Sequence, residues 1–178
     1  MGDLRRLDLS DEDTVQQVWK LQRMAYEVEA ELIGYDGIPP LHESLDQLRT
    51  CGEFFLGRYE ETGLTGAVSW TRPDGGTLDI CRLMVHPRAH RSGIATALLN
   101  VLDALEPAER TIVSTGTANI PALALYRNRG FVPTGEQQIA PGITTTQLIR
   151  RAASAPRGRS GDLLVRSSPR SARSRRLR

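Results

Sequence analysis

Residues 83–99 read Leu83-Met84-Val85-His86-Pro87-Arg88-Ala89-His90-Arg91-Ser92-Gly93-Ile94-Ala95-Thr96-Ala97-Leu98-Leu99, and their order decides the fold. A strand runs out at Val85, a short basic loop follows, and Gly93 opens a helix with the small residues Ala95 and Ala97 near its start. Unpaired N–H groups at a helix start point outward, the macrodipole is positive there, and a glycine lacks the Cβ that would block close approach. Arg88, His90 and Arg91 add positive charge. The physics favours an anion at this turn, with a plain basic surface turn as the competing reading. A P-loop is excluded because no Gly-Lys-Ser/Thr follows, and a dinucleotide fingerprint is excluded because its second and third glycines are missing.

Upstream, Val15, Val18, Trp19, Gln22, Ala25, Tyr26, Val28, Leu32 and Ile33 recur at spacings of three and four, which predicts a helix over 15–33. Asp11 or Asp13 can cap it, and Gly34 and Gly37 stop it. A loop over 34–40 and a short helix over 41–50 follow. Strands are expected over 53–59, 64–72 and 77–85, the last two joined by the Pro73-Asp74-Gly75-Gly76 turn. Downstream come a helix over 93–106, a buried strand over 110–114, a helix over 119–129 capped by Asn119, and strands near 131–135 and 143–149. The order predicts an α/β fold of three layers, α/β/α, around a mixed and mostly antiparallel sheet.

The chain has 178 residues, of which 39% are hydrophobic, enough for one core and too many for wholesale disorder. Two cysteines, Cys51 and Cys81, exclude a disulfide scaffold. No apolar run is long enough to cross a membrane, and the acidic N-terminal region is unlike a targeting segment, so a cytoplasmic location is expected. The net charge of +2 divides unevenly: residues 151–178 carry nine Arg against one acid, and residues 1–150 are net −6. The expected organisation is a domain over 1–150 and a disordered Arg/Ser-rich tail over 151–178. The tail could bind nucleic acid or an acidic partner, but it lacks interleaved aromatics, so a solvated tail is the default. His42, His86 and His90 do not have metal-ligand spacing with the cysteines, and no metal is expected.

The segment His90-Arg91-Ser92-Gly93-Ile94-Ala95 resembles the acetyl-CoA signature of the GNAT superfamily of N-acetyltransferases, Gln/Arg-x-x-Gly-x-Gly/Ala, departing from it at His90. The resemblance extends to Thr117-Ala118-Asn119, Tyr126 and Gly130-Phe131, which look like a later motif of that family, and the order of elements agrees over roughly residues 4–150. It implies that the amides of Arg91, Ser92, Gly93, Ile94, Ala95 and Thr96 hold the CoA pyrophosphate, that the backbone of Met84 and Val85 pairs with the pantetheine arm, and that Asn119 lies against the cofactor.

Acetyl transfer to an amine requires that the amine lose a proton, that the oxyanion be stabilised, and that the departing thiolate be protonated. Tyr126 is the candidate acid, since it lies seven residues from Asn119 on one helix face; a core tyrosine is the alternative. Asp79 is the candidate base, because in the histone-acetylating branch of the family a Glu at the matching place looks like the base. A strand-end carboxylate with ordered water as the base is the alternative. Glu29 falls on the apolar stripe of the first helix and could line an acceptor pocket with Tyr26 and Asp36, or pair with a core arginine such as Arg82. Cys81 is expected to be a small buried hydrophobe.

These residues predict an acyltransferase that moves acetyl from acetyl-CoA to a small-molecule amine in a ternary complex. A CoA-binding module without turnover and a nucleic-acid-associated protein acting through its tail are the rival classes. A homodimer is left open.

Overall fold

The structure is a computed structural model and describes residues 2–153. Seven strands form one sheet in the order β1-β2-β3-β4-β5-β7-β6. They are β1 (Asp3–Leu7), β2 (Phe54–Glu60), β3 (Gly63–Thr71), β4 (Thr77–Val85), β5 (Arg110–Gly116), β6 (Val132–Ala140) and β7 (Ile143–Arg151). Every neighbouring pair is antiparallel except β4 and β5. The expected mixed sheet with helices on both faces is what forms. β1 is not among the expected strands, and β6 runs past its expected end near residue 135. The expected tail loses Arg151, which pairs with Arg110 inside the sheet. The expected disorder of the tail lies outside the described residues from 154 onward.

On one face lies α1 (Glu12–Ile33), started by Asp11, whose side chain accepts from the Thr14 amide, and ended by Gly34 at φ 68°. Val15, Val18 and Leu21 of this helix pack on Phe55, Ala67 and Met84. The helix expected over 41–50 is two short pieces, α2 (Pro39–His42) and α3 (Leu45–Arg49). The chain is extended at Glu43, and Ser44 with Gln47 forms a capping box that restarts it.

On the other face lie α4 (Ile94–Leu105) and α5 (Ile120–Asn128). Ile94, Leu98, Leu99 and Leu102 of α4, with Leu123 and Tyr126 of α5, form the larger core on Leu78, Ile80 and Val113. Each such aliphatic side chain contributes roughly 1.5–3 kcal/mol by leaving water. Gly66 on β3 lets α4 sit close, since a Cβ there would collide with the Ile94 side chain.

β4 and β5 pair only from Thr77↔Arg110 to Ile80↔Val113. Beyond those residues the two strands diverge. The register of β3 against β4 slips between Ser69↔Arg82 and Trp70↔Ile80, so Cys81 is the extra residue of a bulge. A wedge-shaped gap therefore opens in the sheet beside Cys81.

Candidate functional site

α4 begins at one mouth of this gap. Its first internal bond runs from the Ala97 amide to the Gly93 carbonyl, and the amides of residues 91 to 96 have no hydrogen-bond partner among the described residues. Arg91 at φ 61° and Gly93 at φ 81° both turn left-handed, which curls the chain so that successive N–H groups face outward. A Cβ at Gly93 would meet nothing within 4 Å, so the approach to these amides is open. His90 Nε2 lies 3.2 Å from the Val85 carbonyl oxygen and ties the loop to the end of β4. Ser92 instead turns its hydroxyl to the Ala89 carbonyl, and it does not line the gap.

A groove of about 670 Å³ runs from this cradle inward, between Leu83 and Val85 of β4, Asn119 and Leu125 of the α5 segment, and Glu29 of α1. The family resemblance implies that the backbone of Met84 and Val85 faces a ligand, but Met84 is fully buried against α1. The His86 amide donates to the Thr65 carbonyl on β3, so by alternation Met84 also points its backbone to β3 and Leu83 and Val85 point theirs into the gap. Leu83 thus takes the place expected of Met84. Asn119 lines the groove as expected, its Oδ1 accepting from the Ala122 amide as the cap of α5.

At the inner end, a slot of about 40 Å³ brings together Tyr26, Glu29 and Tyr126 with Cys81 and Ser114. Glu29 lines both the slot and the groove. Its carboxylate has one long contact, 3.5 Å from Thr115 Oγ1, and it does not pair with Arg82. Neither tyrosine hydroxyl has a hydrogen-bond partner among the described residues. Burial first, and Glu29 second, push both phenols above the usual tyrosine range, so both stay protonated.

Asp36 is exposed and outside both cavities, so the structure does not bring it to Tyr26 and Glu29. Asp79, the expected base, lies outside the slot, two residues down β4 from Cys81. Burial and then Glu53 push its carboxyl up. Cys81 is exposed rather than buried, with its thiol 3.8 Å from Thr71 Oγ1. Local desolvation of the sulfur and the nearby Glu53 raise it to about 11, so it is a poor nucleophile at neutral pH.

Arg82 forms one wall of the slot, with partners that its sequence position does not reveal. Arg82, 7% exposed, donates to Gln22 Oε1 at 2.6 Å, to Glu53 at 2.8 Å and to both oxygens of Glu43. Its hydrogen-bonded carboxylates outweigh burial and drive its pKa further up. One guanidinium thereby fixes α1, the α2–α3 break, the segment before β2, and β4. Its signal was Gln22, a polar residue on the apolar stripe of α1.

The family model described as "Acetyltransferase (GNAT) family" matches residues 15–131. The UPF0157 protein YqkA of Bacillus subtilis is 38% identical over 128 residues, which are 71% of this chain and 37% of that protein. The chain thus spans a little over a third of that relative's length. The fold is similar to the ribosomal-protein-S18-alanine N-acetyltransferase of Escherichia coli, with TM-score 0.69 at 14% identity over 89% of this chain and 98% of that one. It is also similar to an aminoglycoside 6'-N-acetyltransferase solved with coenzyme A, with TM-score 0.64 at 12% identity over 86% and 99%.

Proposed function

The chain belongs to the acetyltransferase (GNAT) family, and from that premise we propose that it transfers the acetyl group of acetyl-CoA to a primary amine by direct attack, with both substrates bound together. One observation carries the reading. The free amides of Arg91 and of residues 93–96 open on the same groove whose inner end holds Glu29 and Tyr126.

The residues fit the cofactor: the curled amides suit a pyrophosphate, and the outward backbone of Leu83 with the amide of Val85 suits an extended pantetheine arm. Acetyl-CoA supplies the reactive carbonyl and the thiolate leaving group. Glu29 takes the first proton from the incoming ammonium and passes it to water. Tyr126 donates its hydroxyl proton to the departing sulfur and is refilled by the second proton that the nitrogen sheds as the amide forms. Glu29 replaces Asp79 as the base in this scheme, because Glu29 lines the slot and Asp79 does not.

The test is acetyl-CoA-dependent thiol release with a panel of alkylamines, amino acids and peptide amines. Release that falls about 10²-fold or more in Glu29→Gln supports the scheme. Absence of release with every amine overturns it.

A further inference from the structure

This inference rests on the transfer reading and concerns which amine is accepted. Tyr126 is only 4% exposed, its hydroxyl has no partner among the described residues, and it faces a slot of about 40 Å³ shared with Tyr26 and Glu29. A space of that size holds one water-sized group. An amine on a single methylene stem fits it. A carbon that also bears a side chain and a carbonyl is bulkier and fits it less well.

From the slot, the sheet face continues past Cys81 to Asp79. The Cys81 thiol reaches Thr71 Oγ1, and Thr71 is the cross-strand partner of Asp79, so the three share one face. The Asp79 carboxylate makes no hydrogen bond or ion pair among the described residues, although it is half-buried. Its neighbour Glu53 is already engaged by Arg82 and Ser69. The buried Arg82 guanidinium is taken up by Glu43 and Glu53, and neither Glu29 nor Asp79 has an ion-pair partner among the described residues, which leaves the acceptor side short of positive charge.

We propose that the acceptor is a linear amine carrying two positive charges, an α,ω-diamine or polyamine, with one end in the Tyr26–Glu29–Tyr126 slot and the other held by Asp79. Asp79 lies one to four residues along β4 from the strand residues that line the slot, Ile80 to Leu83, a separation of up to about 13 Å that a polyamine chain spans. The second ammonium supplies the partner that the half-buried carboxylate lacks.

The experiment compares kcat/KM, by thiol release, for spermidine and butane-1,4-diamine against n-butylamine and alanine amide. The expected result is a preference for the dications over n-butylamine of about tenfold or more. In Asp79→Asn that preference collapses toward one through KM, and Asp79→Glu restores most of it. Equal turnover of n-butylamine and the diamines, a preference for alanine amide, or an unchanged ratio in Asp79→Asn overturns the assignment while leaving the transfer reaction standing. If no amine is turned over, the transfer reading fails instead. Calorimetric titration of spermidine into wild type and Asp79→Asn then decides the inference, which holds if binding weakens in the variant and falls if the two match or neither binds.

Discussion

Replacing Arg82 with methionine keeps a long apolar stem and removes the one charge that Glu43, Glu53 and Gln22 share. Arg82 is 7% exposed, and its two carboxylate partners have side chains 16% and 12% exposed. Removing one partner of a buried ion pair costs about 3–5 kcal/mol, because the remaining charges stay buried without compensation. For a domain of this size that is a fall in Tm of roughly 6–20 °C. The cost depends on pH in a definite direction. In the wild type, burial raises the Glu43 carboxyl, but the hydrogen bonds from Arg82 and then Gln22 prevail and hold it below the usual carboxylate range. Such a group adds stability above its unfolded pKa and loses it as pH falls through the depressed folded value. Without Arg82, burial dominates and the folded pKa rises above the unfolded one. The carboxylates then destabilise the variant at neutral pH and are relieved as they take up protons. Urea unfolding followed by the fluorescence of Trp19 and Trp70 at pH 7 and pH 5 measures both effects, and the gap between variant and wild type should narrow at pH 5. A loss below about 1 kcal/mol at pH 7, the scale of an exposed pair, or a gap that widens on acidification, refutes the argument.

Three further outcomes are expected. Tyr126→Phe should lower kcat roughly 10²-fold while the calorimetric affinity for CoA stays unchanged; a parallel loss of affinity would make the residue a packing element. Gly93→Ala should weaken CoA binding about tenfold, since the left-handed backbone costs roughly 1–2 kcal/mol with a side chain; unaltered affinity would move the anion site elsewhere. Gly66→Ala should cost about 1–3 kcal/mol in thermal unfolding, because the added methyl meets Ile94 and Leu98; a neutral result would mean that α4 yields easily.

Local signals made much of this fold readable. The Gly93 cap, the Asn119 cap and the 3.6-residue stripes of α1 and α4 act within a few residues, so their consequences appear in the sequence itself. β1 gave little signal because an edge strand is paired on one side only, and its Arg5 and Arg6 break the alternation. The bulge at Cys81 shifts the register by one residue, which simple alternation cannot foresee. Arg82 meets partners 29, 39 and 60 residues away. Its role therefore depends on how α1 and the α2–α3 break are laid over β4. The same arrangement puts Glu29 in the slot and leaves Asp36 outside it.

The junction of β4 and β5 has a consequence for how the molecule yields. Four registered pairs join these strands, whereas five to seven join every other neighbouring pair. The sheet is thus two stiff panels, β1 to β4 and β5 with β7 and β6, meeting along a short seam. Amide deuteration should begin along that seam, ahead of the panel interiors. A molecule wedged into the gap would slow this uptake most at Leu83 and Val85, whose amides face the gap with no strand on that side.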